Sequence, residues 1–252
     1  MRRTSTRRRS RATISTQTPK GLHRQYATQL RKIAQVVGDI VSTSYDGSDK
    51  SVILINTRLT RYSELIAPWA ESVALKMFDA VARREATQWR QISQEISAGL
   101  RFQMESTSVG QVARNIVEEN IKLMKSLPLH AADRVSGIHA RAIEAMISGE
   151  RSKDFAAEIF RSGDVAWSRA KLIARTEIGR ATQALTQARA TAIGSEGYIW
   201  RTAHDGDVRH SHAKMEGKFV RWGDPPTLDG MTGHAGALPN CRCYCEVVIP
   251  EK

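Results

Sequence analysis

The chain has 252 residues, 41% of them hydrophobic and 6% aromatic, and a formal net charge of +12. That suffices for one or two domains with a real core, and a middle rich in Ala, Arg, Glu and Gln favours helices packed through aliphatic side chains. The charge points to acidic partners (nucleic acid, an anionic protein surface or anionic lipid) or to Lys and Arg on solvated helix faces, while the longest apolar run, Ser51 to Asn56, is far too short for a membrane span of roughly 20 residues.

Met1 to Lys20 carries Arg2, Arg3, Arg7, Arg8, Arg9, Arg11 and Lys20 among Ser and Thr, with no acidic residue. Residues 1–20 are expected to be a disordered basic tail. Three roles compete: an arm that neutralises DNA phosphates through its arginines, a transit-peptide-like segment, and a solubilising tail. The N-terminus lacks the apolar stretch of a secretory signal.

Residues 21–150 read as a helical region. Leu22, Tyr26, Leu30, Ile33, Val37 and Ile40 recur at helical spacing through Val41. Asp46-Gly47 marks a loop over 42–51. Leu59 to Ile96 is a long helical stretch with Leu65, Ile66, Trp69, Val73, Leu75, Met77, Val81 and Ile92 on its apolar face, and Pro68 starts or kinks one segment. Gly99 to Ser108 breaks the pattern. It resumes from Val109 to Leu127, Pro128 is predicted to end that helix, and Leu129 to Ile147 forms another, stopped near Gly149.

Residues 151–252 read as a second, smaller domain. A short helix runs to Phe160, Gly163 breaks it, and Asp164 is the expected N-cap of a long helix that stops at Gly194. Arg175, Thr176 and Glu177 sit inside that helix, where a polar cluster predicts hydrogen bonds to a neighbouring loop. Strands follow at 197–202 and 218–222, with a short helix from His210 to Glu216, ended by Gly217, between them. A loop over 223–239 leads to a third strand over 241–249. The predicted fold class is α+β: a predominantly helical N-terminal region, then a small α+β domain with a long helix and a short antiparallel sheet.

The chemistry-bearing residues crowd into the last fifty positions. Cys241, Cys243 and Cys245 are an odd number of thiols. On one strand they share a face and stand too far apart for easy disulfide geometry, so free thiols or a metal site in a reducing compartment are expected. Asp205, Arg209 and His212 lie at i, i+4 and i+7, so a helix would put them on one face and pair Arg209 with Asp205. Two readings stand. His212, Cys241 and Cys243, with or without Cys245 or His234, hold zinc, or the thiols are free beside a hydrogen-bonded Asp/Arg/His core. A Cys/His nucleophile pair or a nuclease-like His is the enzymatic alternative; with no Gly-rich phosphate loop or carboxylate pair beside it, no enzymatic activity is expected.

Three pieces recur in order: Ile173-Ala174-Arg175-Thr176-Glu177; then Trp200, Asp205-x-x-Val208-Arg209-x-x-His212 and Gly217; then Pro239-Asn240-Cys241-Arg242-Cys243 before a closing strand. Over roughly Ala140 to Pro250 this set resembles the phage head morphogenesis family, the Mu F-like minor head proteins of tailed phages. The resemblance implies a low-copy structural protein of the virion, placed in the head interior or at the portal vertex after assembly in the host cytoplasm. It implies the portal and the inner capsid or scaffold as protein partners, and non-specific contact with double-stranded DNA. It implies no cofactor, zinc being the residue-based alternative.

Overall fold

The computed structural model describes residues 13–17, 20–93, 109–148 and 154–250. Its helices are α1 (Lys20–Ser44), α2 (Asp49–Leu65), α3 (Ala67–Ser93), α4 (Val109–Ser148), α5 (Phe155–Phe160), α6 (Ser162–Ala192) and the single turn α7 (His210–Ala213). Its strands are β1 (Thr13–Ser15), β2 (Gly197–Arg201), β3 (Phe219–Arg221), β4 (Thr227–Leu228), β5 (Met231–Thr232) and β6 (Tyr244–Val248). The α+β class holds: helices come first, and the antiparallel sheet is built mainly from the C-terminal residues. Among the described residues no helix is long and apolar enough to cross a membrane. The contacts gather the chain into two compact units. One is Pro19–Val81 with Ala113–Ile178; the other is Met1–Thr18, Ala82–Val112 and Gly179–Lys252.

The first unit is helix on helix. Tyr26, Leu30, Ile33, Val37 and Val41 are buried along α1, as their spacing predicts, with Ile55 and Leu59 of α2. Ser48 caps α2 by accepting from the Ser51 N–H at 3.2 Å. Pro68 starts α3 as predicted, at its second residue, where a missing N–H costs nothing. Leu65 and Leu75, expected on the apolar face, are instead exposed.

Pro128 corrects another expectation. It lies inside one continuous 40-residue helix, α4, rather than ending one. Met124 and Leu127 before it and Ala131, Ala132 and Val135 after it are all buried, so packing on both sides carries the helix through a break that local preference would make. The Ser63 hydroxyl donates to the Lys125 carbonyl at 2.8 Å, satisfying part of the backbone in the turn that proline disturbs. Gly163 does not break the chain and Asp164 is not an N-cap. Asp154 caps α5, accepting from the Ala157 N–H at 2.9 Å, and Asp164 lies in the first turn of α6. Gly163 is small for a tertiary reason: a Cβ there would sit 2.9 Å from the Gly38 Cα of α1. The expected break at Gly99–Ser108 and stop at Gly149 lie outside the described residues.

The second unit is a four-stranded antiparallel sheet in the order β1-β6-β2-β3. Its edge strand corrects the expectation of a structureless tail for residues 13–15: Thr13 pairs with Val248 and Ser15 with Glu246, and Thr16 donates to the Cys245 carbonyl through both N–H (3.1 Å) and hydroxyl (2.8 Å). Residues 1–12, which hold the six arginines, lie outside the described residues. Period-two alternation buries Tyr198 and Trp200 of β2 and Cys245 and Val247 of β6. They pack with Trp89 of α3, Ala190 of α6 and Trp222 into one apolar cluster. The predicted stop of α6 at Gly194 is a Schellman turn. Gly194 has φ +78° and donates to Thr191, and Ser195 donates to Ala190. The expected loop over 223–239 contains the β4–β5 hairpin, whose turn residues Asp229 and Gly230 have φ +51° and +76°.

Glu216 and Glu246 grip Arg201 of β2 from two sides. Glu246 also accepts from the Thr13 hydroxyl at 2.7 Å, tying in β1. Partial burial pushes both carboxyls up. The Thr202 N–H and Arg201 on Glu216, and Thr13 and Arg201 on Glu246, outweigh it and hold both below the ordinary carboxylate range. Depressed folded-state values mean that this stabilisation is present above the unfolded glutamate value, about 4.3, and is lost as pH falls through the lower folded values. The urea midpoint is expected to stay level from neutral pH to about 5 and to drop below about 4. Arg201→Ala should flatten that drop, which urea titrations at several pH values check.

Candidate functional site

Two arginines, each reaching from one segment to the other, clamp the turn at 203–209 onto the loop before β6. Arg209 donates to the Pro239 carbonyl at 2.8 Å. In the reverse direction Arg242 pairs with Asp205 at 3.1 Å and with Asp207. The predicted Asp205–Arg209 pair is therefore corrected. Residues 205–208 form a turn and helix α7 begins only at His210, so the i, i+4 geometry never arises and each partner finds another.

The clamp sets His212, buried to 2% exposure, against the cysteine loop. Its Nδ1 lies 3.4 Å from Cys241 Sγ and 3.6 Å from Cys243 Sγ. The three donor atoms all fall within 4.8 Å of one another. Cys243 is buried and Cys241 half-buried. The ring of His212 stands edge-on to Trp200, centroids 5.7 Å apart. Cys241 and Cys243 precede β6 rather than lying on it, a correction to the single-strand expectation. Asn240 explains the loop's shape. It has φ +55°, a left-handed conformation that Asn tolerates far better than most residues, and the Cys241 N–H closes the turn on the Leu238 carbonyl at 3.0 Å.

The two thiols are unlike. Hydrogen-bond donation from the Cys243 thiol, with backbone N–H groups of Cys243 and Gly236 adding to it, holds Cys241 well below the ordinary thiol range. Cys243, as the donor in a buried place, is pushed up. The structure brings neither further expected donor into this set. Cys245 faces the Ala235 carbonyl at 3.7 Å, and burial pushes its thiol up. His234 Nδ1 lies 3.2 Å from the Tyr198 hydroxyl, and desolvation lowers its proton affinity.

The remaining motif residues hold the scaffold. Trp200 is fully buried. Gly217, at φ +76°, donates to the Trp200 carbonyl at 2.9 Å as the chain turns into β3. Glu177, buried to 2% exposure, accepts from the Asn120 side chain at 3.2 Å, and Asn120 accepts from the Tyr26 hydroxyl at 2.7 Å. Glu177 thus links three helices. Thr176 is buried and Arg175 exposed. Beside the clamp, Arg209, His210, Lys214 and Lys218 line a shallow cavity of about 640 Å³ with Ser211, Met215, Leu228 and one carboxylate, Asp229. Sequence reasoning missed this basic lining, although Lys214 and Lys218 stand four apart next to the motif.

Residues 136–246 match the family model described as phage Mu protein F like protein. A Haemophilus influenzae protein described as uncharacterized is 34% identical over 149 residues, 59% of this chain and 31% of the relative. The chain therefore spans about a third of that relative's length. No solved structure matches it.

Proposed function

We propose that this chain, whose residues 136–246 match the phage Mu protein F-like family model, is a minor structural protein of a tailed-phage head. It acts in head assembly and in packaging or delivery of double-stranded DNA, associated with the portal and the inner capsid or scaffold, in the head interior or at the portal vertex. The family match carries the reading. It covers all three motifs on which the resemblance rests, and the clamp that joins two of them is a fastening device built of ion pairs and buried aromatic packing.

DNA contact on this reading goes to phosphates rather than base edges. The net charge of +12 and the basic lining at Arg209, Lys214 and Lys218 support it. Purified protein should co-sediment with portal oligomers or heads; protein left free beside them removes the reading. Retention on DNA should fall steeply with salt, log affinity against log salt sloping about −0.9 for each phosphate engaged, and should weaken when residues 1–12 are deleted, a cut that spares β1. Retention indifferent to salt retires the DNA contact. The role is non-enzymatic. Plasmid cleavage that disappears in His212→Ala would overturn that part.

A further inference from the structure

We propose that His212, Cys241 and Cys243 form a zinc site. One imidazole nitrogen and two thiolate sulfurs are the donor set that a borderline-soft divalent ion such as zinc takes. The spacing fits the ion. With Zn–S near 2.3 Å and Zn–N near 2.0–2.1 Å, a tetrahedron puts nitrogen and sulfur about 3.5 Å apart. Here His212 Nδ1 stands 3.4 and 3.6 Å from the two sulfurs, and all three donors lie within 4.8 Å of one another. The two nitrogen–sulfur edges match a tetrahedron, the sulfur–sulfur edge lies within 4.8 Å, and the fourth corner falls to a water or an added ligand.

The donors are held by contacts independent of any ion. Arg209 on Pro239 and Arg242 on Asp205 and Asp207 fix the α7 turn to the loop. His212 and Cys243 are each 2% exposed, while the half-buried Cys241 leaves a way in. Metal binding through Nδ1 requires the imidazole proton on Nε2, a buried atom with no hydrogen-bond partner. Both sulfurs bind as thiolates, any proton they still carry passing to solvent, and no oxidation state changes. The inference does not depend on the head-protein role and stands or falls separately from it.

The test is elemental analysis of the full chain expressed in zinc-supplemented medium and desalted without chelator. About one zinc per chain is expected, falling at least about tenfold in Cys241→Ser, Cys243→Ser and His212→Ala, since removing one of three ligands leaves too few. Because those variants share a buried cluster and can misfold, the intact protein is also stripped and reloaded with cobalt(II), which should give a thiolate-to-cobalt charge-transfer band and the visible bands of a tetrahedral ion. Zinc-free protein, cobalt-loaded protein lacking that band, zinc retained in Cys243→Ser, or a native mass lower by two hydrogens from a Cys241–Cys243 disulfide would each overturn the site.

Discussion

Arg189→Met is expected to destabilise the protein by about 3–5 kcal/mol, read as a lower urea midpoint of the transition reported by tryptophan fluorescence. Arg189 and Glu85 form an ion pair whose side chains are 8% and 2% exposed, and the Thr186 hydroxyl also donates to Glu85. Burial pushes the Glu85 carboxyl up, and Arg189 is the chief influence opposing it. Methionine roughly fills the arginine's volume but leaves a carboxylate stranded in a dry place. The variant then gains stability in acid. A carboxyl raised above its unfolded value contributes fully below that unfolded value, and the contribution is lost as pH rises through the folded one. The loss relative to wild type should therefore shrink as pH falls toward 4. Glu85→Gln with Arg189→Met should recover much of the loss at neutral pH, because a neutral amide can still accept from Thr186. A single variant as stable as wild type at pH 7 refutes this account.

Gly179→Ala should destabilise by about 1–3 kcal/mol, against the usual gain from such a change. An alanine inside a helix is worth up to about 1 kcal/mol over glycine. At Gly179, however, the new Cβ would stand 2.5 Å from the Gly236 carbonyl oxygen, which is backbone and cannot rotate away. Gly236 itself sits at φ +88°, so the loop has little freedom to retreat. Gly137 in α4 is the matched control: a Cβ there meets nothing within 4 Å, and Gly137→Ala should stabilise by about 0.5–1 kcal/mol. Thermal unfolding of the two variants should move in opposite directions; movement in the same direction would refute the close-approach explanation.

Local rules made part of this molecule legible. The α1 spacing, the glycine stop at Gly194 and the strand at 197–201 depend on residues close in sequence, and all three are found. His212, Cys241 and Cys243, one of two arrangements the sequence leaves open, do lie together. Failures came where distant contacts outweighed local ones. Pro128 stays in a helix because burial on both sides overrides a local break. Glu85 and Arg189 are 104 residues apart, and nothing at either position announces the other. Strand β1 is three residues long, too short for any period to show. The Asp205–Arg209 pairing fails for a local reason: Gly206 between them and the D-G turn signal argue against a helix there. Asp229-Gly230 likewise announced the small hairpin within an expected loop.

Strand β6 lies between β1, the first strand in chain order, and β2. As a ribosome delivers this chain, β1 emerges before the other described strands, and β6, which it must pair with, follows more than 230 residues later. Until then, neither β1 nor β2 has its shared neighbour, and Tyr198 and Trp200 lack Cys245 and Val247 beside them. The helices at 20–65 can associate early through local contacts, whereas the sheet waits for the longest loop in the protein to close. A ribosome stalled before residue 244 therefore holds helices that are ready and a sheet with its middle missing. During that interval the exposed strand edges are open to pairing with another nascent copy on the same message.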